Sequence, residues 1–81
     1  MNIELKKNGN NGVFELISEQ NIAVGELTFV IKDNSQMIIN HTGVNPDLRG
    51  RGYAEKLVLK AIEFARLNHL KILPYLSLIH I

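Results

Sequence analysis

Arginine and glycine alternate in the run Arg49-Gly50-Arg51-Gly52, which stands directly before a segment with helical periodicity. The first turn of a helix exposes backbone N–H groups without intrahelical partners, and the helix dipole is positive there. A Ser, Thr, Asp or Asn side chain usually caps these groups, and the run contains none of them. Because glycine has no Cβ atom and arginine is cationic, the run predicts a binding site for phosphate or pyrophosphate, with an ordinary strand-to-helix turn as the alternative.

Two other glycine-rich phosphate sites do not fit this loop. The phosphate loop of nucleotide hydrolases ends in Gly-Lys followed by Ser or Thr, and the chain has no such sequence. The dinucleotide-binding fingerprint belongs to a first βαβ unit, with an acidic residue about 20 positions further on. Here several predicted strands precede the glycines, so a dinucleotide-binding fold is excluded as well.

Four segments before the loop predict β-strands, at residues 3–7, 13–18, 22–32 and 36–44. They are rich in β-branched or alternating apolar residues, and clusters of Asn, Gly, Asp and Ser separate them. One face of the third strand is expected to carry Ala23, Leu27, Phe29 and Ile31. Pro46 has no N–H for a sheet ladder, so the fourth strand should end before it.

The segment after the loop predicts an amphipathic helix that extends from about Gly52 to Leu67. Its apolar residues recur at helical spacing and form a single stripe, made of Ala54, Leu57, Val58, Ala61, Ile62 and Ala65. A short strand is expected at residues 71–73, with Pro74 interrupting it. Antiparallel strands followed by a helix on one face define an α+β fold, and a last strand beside the fourth would make a parallel pair joined by the helix.

The composition limits the class of protein. The 81 residues have room for a single domain, residues 1–81, and the hydrophobic share of 46% indicates a globular chain. A net charge of +1 argues against nucleic acid as a partner, since nucleic-acid binding requires a clustered basic surface. The chain has no cysteine, no apolar run of signal-peptide length and no stretch long enough to cross a bilayer. We therefore expect a cytoplasmic protein that binds neither nucleic acid nor a membrane.

His41 is the titratable side chain that the pattern places on a central strand near the loop. A neutral imidazole can accept a proton near neutral pH, which makes His41 a candidate general base; a half-buried histidine bonded to the backbone is the alternative. The histidines and carboxylates show no metal-ligand spacing, so no metal is expected.

The run from Asn40 to Ala54 resembles the small GNAT-like N-acetyltransferases, whose strand carries a His-Thr pair followed by Val, Pro and an Arg-Gly-x-Gly-x-Ala loop. The helix and the sequence Lys71-Ile72-Leu73-Pro74-Tyr75 are similar to the same family. The resemblance extends over roughly residues 13–75. It implies a GNAT-like fold and direct transfer of acetyl from acetyl-CoA to a primary amine.

The resemblance also implies roles for individual residues. Backbone groups of Thr42 and Val44 would line the pantetheine arm of CoA, and a backbone N–H near Val44 would hold the oxyanion. The pyrophosphate would lie against the N–H groups of the loop and the start of the helix, at Arg49, Gly50, Arg51, Gly52, Tyr53 and Ala54. Tyr75 is a candidate acid toward the leaving thiolate, and Arg51 and Lys56 are candidates for the 3′-phosphate.

The chain departs from the family pattern after Tyr75, because Leu76 stands where the family has a cysteine. We expect residues 76–81 to be a non-native or truncated tail. Its apolar side chains would promote association, so we expect a monomer or a weak dimer. Two alternatives to the enzyme follow. One is a catalytically weak acyl-CoA-binding module, and the other is an interaction domain whose arginine loop meets an acidic partner.

Overall fold

The computed structural model of the chain describes residues 1–74. Five strands form one sheet in the order β1-β2-β3-β4-β5, with β1 at Asn2–Asn8, β2 at Asn11–Ile17, β3 at Ala23–Lys32, β4 at Gln36–Val44 and β5 at Lys71–Pro74. A 3₁₀ turn at Pro46–Leu48 and a helix, α1, at Tyr53–Leu67 lie between β4 and β5. The predicted α+β arrangement is confirmed, and β4 has the predicted bounds.

The first four strands pair antiparallel through tight turns that the Asn, Gly and Asp clusters encode. Gly9 has a φ of 62° in the turn between β1 and β2. Asp33 and Asn34 have φ angles of 55° and 56° between β3 and β4. Asn, Asp and Gly adopt positive φ at the lowest cost, so the chain reverses where these residues stand.

Helix α1 packs its apolar stripe against one face of the sheet. The sheet contributes Phe14, Leu16, Leu27, Phe29, Ile31, Met37 and Ile39 to the core, and the helix contributes Leu57, Val58, Ala61 and Ala65. Three phenylalanine rings meet inside this core, since Phe29 lies 5.5 Å from both Phe14 and Phe64 between ring centroids. Burial of this apolar surface is the main favourable term in folding.

Two residues expected on the core side are exposed instead. Ala54 lies in the first turn of α1 and is exposed. Ala23 is exposed because the register shifts between Leu16 and Ile17, which pair with Gly25 and Ala23. This bulge skips Val24 and reverses the alternation of faces at the start of β3.

A second bulge lies in β4. Phe29 pairs with Ile39 and Thr28 pairs with His41, so Asn40 has no partner in the register. The alternation of faces therefore shifts by one residue at Asn40. Thr42, opposite Leu27, consequently lies on the α1 side of the sheet, and His41 lies on the other face.

The parallel pair of β4 and β5 confirms the predicted crossover through α1. Its register runs from Gln36 and Lys71 to Ile39 and Pro74. Pro74, which was expected to interrupt the strand, is therefore part of it. Within residues 1–74, β5 pairs only with the first half of β4, and residues 40–44 have no strand beside them on the edge away from β3.

Gly12 provides a test of the packing between β2 and β3. A Cβ atom at this position would overlap the Cζ atom of Phe29, so alanine forces the ring out of its place. We expect Gly12→Ala to lower the free energy of unfolding by about 1–3 kcal/mol, measured by urea denaturation. Gly9→Asn is the control, because Gly9 is surrounded by open space and Asn tolerates positive φ. Equal stabilities of the two variants would contradict the packing.

Candidate functional site

The loop between β4 and α1 begins with a 3₁₀ turn that its own hydrogen bonds hold. The N–H of Asp47 donates to Asn45 Oδ1 over 3.0 Å, and the N–H of Leu48 donates to the Asn45 carbonyl over 2.8 Å. The N–H of Asn45 donates in turn to the Val24 carbonyl over 2.7 Å, which fixes the turn to β3. This cap was not predicted from the sequence, although Asn before Pro is a known turn signal.

Gly50 and Gly52 both adopt the left-handed backbone conformation, with φ angles of 81° and 79°. Other residues reach this region only at a cost of roughly 1–2 kcal/mol. A Cβ atom added at either glycine would meet nothing within 4 Å. The glycines are therefore required by the backbone path, and the space beside them is open to a ligand.

The backbone N–H groups of residues 50–55 donate to no acceptor within the described part of the chain. Gly52 is the N-cap of α1 and provides no side-chain bond, and the first helical bond runs from the N–H of Lys56 to the Gly52 carbonyl. The N–H of Arg49 donates to the Pro46 carbonyl over 3.3 Å, so a contact of Arg49 with an anion would come from its guanidinium. We call these N–H groups of residues 50–55 the amide cradle.

Cationic side chains surround the amide cradle. Arg49 and Arg51 are exposed, and neither forms an ion pair with a carboxylate of residues 1–74. The Nζ atom of Lys56 lies 5.4 Å from the ring centroid of Tyr53, which is half-buried against the core. Glu55 adds one negative charge in the first turn of the helix. The charge balance favours an anionic ligand, together with the positive end of the helix dipole.

The chain runs from the end of β4 through the 3₁₀ turn at Pro46–Leu48 into the cradle. Alternate residues of an antiparallel strand direct both N–H and C=O toward the same neighbouring strand. Because Asn45 bonds to Val24 in β3, Val44 and Thr42 direct their N–H and C=O groups away from β3, toward the edge that β5 does not reach. This orientation suits the predicted contact of both residues with an extended ligand arm.

His41 and Gly43 lie on the face of the sheet opposite to α1. A Cβ atom at Gly43 would lie 2.9 Å from Nε2 of His41, so the exposed imidazole extends along the strand over the glycine. The sequence pattern alone would place His41 on the same face as Ile39, and the bulge at Asn40 moves it to the opposite face. Tyr75, the other predicted catalytic residue, lies outside the described residues.

Carboxylates stand in register on the face that carries His41. Glu26 is opposite Gly43 and also opposite Glu15, which in turn is opposite Glu4. The ammonium of Lys6 lies 2.8 Å from Glu15 Oε1, and this hydrogen bond, followed by the Coulombic attraction of Glu15, raises the pKa of Lys6 above its ordinary value. The Lys6 ammonium thereby compensates one of the three carboxylates of this row.

A cavity of about 380 Å³ lies close to the turn between β1 and β2. Its lining combines lysine and amide side chains with Phe29 and the bulged residue of β4, and comprises Lys6, Lys7, Asn8, Asn11, Gly12, Val13, Thr28, Phe29 and Asn40.

Within residues 1–74, no three His, Cys, Asp or Glu side chains come together as a metal site requires. No helix of that part of the chain has the length and apolarity needed to cross a membrane.

The family follows from comparison with known sequences. A protein-family model described as GCN5-related N-acetyl-transferase matches residues 13–80. The chain therefore belongs to the GCN5-related N-acetyltransferase family, as the loop and helix indicated. No curated protein sequence matches the chain.

Solved structures share the fold at low sequence identity. An acetyltransferase from Trypanosoma brucei superposes with a TM-score of 0.72 and 18% identity over 86% of this chain and 55% of that one. GCN5 from Tetrahymena superposes with a TM-score of 0.75 and 15% identity, over 86% of this chain and 45% of that one. The ribosomal-protein-alanine N-acetyltransferase from Brucella melitensis superposes with a TM-score of 0.73 and 17% identity, over 86% of this chain and 54% of that one. The chain thus spans about half the length of these structures.

The cap at Asn45 gives a test of the loop geometry. Asn45→Ala removes the acceptor of the Asp47 N–H, and we expect the free energy of unfolding to fall by about 1 kcal/mol. Asn45→Asp keeps an acceptor oxygen and should retain most of the stability. Urea denaturation of the three proteins measures both effects, and an alanine variant as stable as wild type would contradict the role of the cap.

Proposed function

We propose that the chain binds acetyl-CoA and transfers its acetyl group to a primary amine. The observation that carries this proposal is the amide cradle, in which N–H groups of residues 50–55 have no acceptor within residues 1–74. A pyrophosphate offers several anionic oxygens to such donors. Membership in the N-acetyltransferase family supports the same donor and the same reaction class.

The residues present fit the proposed donor. Gly50 and Gly52 leave open space beside the cradle, and Arg49 and Arg51 supply positive charge for phosphate oxygens. The N–H and C=O groups of Thr42 and Val44, which have no neighbouring strand within residues 1–74 on that edge, would give a pantetheine arm hydrogen-bonding partners like those of an added strand. The arm would extend from the cradle along Val44 and Thr42, toward the part of the strand that carries His41.

The chemistry requires a proton acceptor and an oxyanion donor. Bound acetyl-CoA would supply the thioester carbonyl. The nitrogen of a neutral amine would form the C–N bond while the C–S bond breaks, and the proton that the amine loses would end on the leaving thiolate. His41 would accept the proton of the amine, directly or through water, because its exposed imidazole lies over Gly43, the residue before Val44. A backbone N–H near Val44 donates to the carbonyl oxygen as negative charge develops there.

Gly52→Glu tests the cradle. The substitution places a carboxylate among the free amides, so we expect CoA binding measured by calorimetry to be abolished. Gly9→Glu is the matched control, because Gly9 also has positive φ and open space around it but lies in the turn between β1 and β2. The control should bind CoA like wild type, and retained affinity in Gly52→Glu would contradict the proposal.

His41→Gln tests the proton acceptor. The amide side chain cannot take up the proton, so we expect the rate of acetyl transfer to fall by about 10²- to 10⁴-fold while acetyl-CoA affinity stays unchanged. Release of free thiol in the presence of an amine panel measures the rate. The control His69→Gln changes an exposed histidine after α1 and should leave the rate unchanged. Equal rates in both variants would contradict a catalytic role for His41.

A further inference from the structure

We propose that the side-chain hydroxyl of Thr42 forms a hydrogen bond with an amide group of the pantetheine arm. This inference rests on the proposed function and adds a side-chain contact to the backbone contacts of β4. It starts from one polar atom, since Oγ1 of Thr42 is buried and has no hydrogen-bond partner within residues 1–74. No other buried side-chain oxygen or nitrogen of these residues lacks a partner.

A buried hydroxyl without a partner destabilises the chain that carries it. Mutational data place the cost at about 1–3 kcal/mol, and buried polar groups in native proteins therefore almost always have a partner. Valine has nearly the shape of threonine and would avoid this cost. The unpaired hydroxyl of Thr42 thus indicates a partner that the chain acquires on binding a ligand.

The place of Thr42 identifies the ligand group. Thr42 stands opposite Leu27 on the α1 side of the sheet, in the part of β4 that extends beyond β5. The cradle at the start of α1 would hold the pyrophosphate end of CoA, and His41 would lie near the thioester end. A residue between these two positions meets the pantetheine arm, whose polar groups near the thioester are amides. A hydroxyl both donates and accepts, which suits either half of an amide.

In the ligand-free chain Oγ1 is hidden, whereas the residue as a whole is half-buried. Rotation about the Cα–Cβ bond exchanges the positions of the hydroxyl and the methyl group of a threonine. A ligand arm along β4 would favour the rotamer that brings the hydroxyl to it, because only that rotamer gives the hydroxyl a partner.

The experiment compares Thr42→Val and Thr42→Ser with wild type and uses two ligands. CoA carries the pantetheine arm, and 3′-phosphoadenosine 5′-diphosphate keeps the pyrophosphate but lacks the arm. Calorimetry should show that Thr42→Val binds CoA about 3- to 10-fold more weakly than wild type, as expected for the loss of one hydrogen bond. It should bind the armless nucleotide as wild type does, and Thr42→Ser should keep the CoA affinity.

A second measurement separates a ligand contact from a structural one. Without ligand, Thr42→Val removes an unpaired buried hydroxyl, so its melting temperature should equal or exceed that of wild type. Thr28→Val is the matched control, because Thr28 is a half-buried threonine on the opposite face of the sheet; it should leave CoA affinity unchanged.

Three outcomes would overturn the inference. Unchanged CoA affinity in Thr42→Val, with wild type binding CoA, removes the hydroxyl contact and leaves the proposed function intact. A lower melting temperature together with weaker binding of both ligands shows that the hydroxyl has a partner inside the protein. Failure of wild type to bind CoA removes the proposed function as well.

Discussion

The unpaired N–H groups at the start of α1 are the constraint on which the site depends. Many helices begin at an N-cap residue whose side chain accepts a hydrogen bond from the first turn. The N-cap of α1 is instead Gly52, in a conformation that other residues adopt only with strain. The donors of residues 50–55 are left without acceptors in residues 1–74, and exposed arginines stand beside them. An anion completes this arrangement, because it satisfies the donors and interacts favourably with the helix dipole.

The rest of the fold positions this helix end relative to β4. The three-phenylalanine core fixes α1 on the sheet, and within residues 1–74 the parallel pairing of β4 with β5 extends to Ile39. The bulge at Asn40 then turns Thr42 toward the α1 side and His41 toward the other face. One irregularity in one strand thus separates the residue proposed to contact the donor from the residue proposed to take the proton.

Much of this arrangement could be predicted from the sequence, because local signals encode it. The apolar residues at helical spacing predicted α1, with a start one residue before the observed one and the same end. Pro46 correctly predicted where β4 ends. The bulge at Asn40 could not be predicted in this way, since it arises from the pairing of Thr28 and Phe29 with residues distant along the chain. The same holds for the buried hydroxyl of Thr42, whose environment depends on packing between sheet and helix. Family membership confirms the class of protein that the resemblance over residues 13–75 implied.

The most direct measurement is a two-dimensional ¹H–¹⁵N spectrum of the labelled protein during titration with CoA. If bare amides at the front of α1 receive the pyrophosphate, the backbone signals of Gly50, Arg51 and Gly52 should move furthest, while signals of the turn at Gly9 stay in place. Saturating CoA that leaves these loop signals unmoved, or that moves another surface of the sheet instead, would contradict the account.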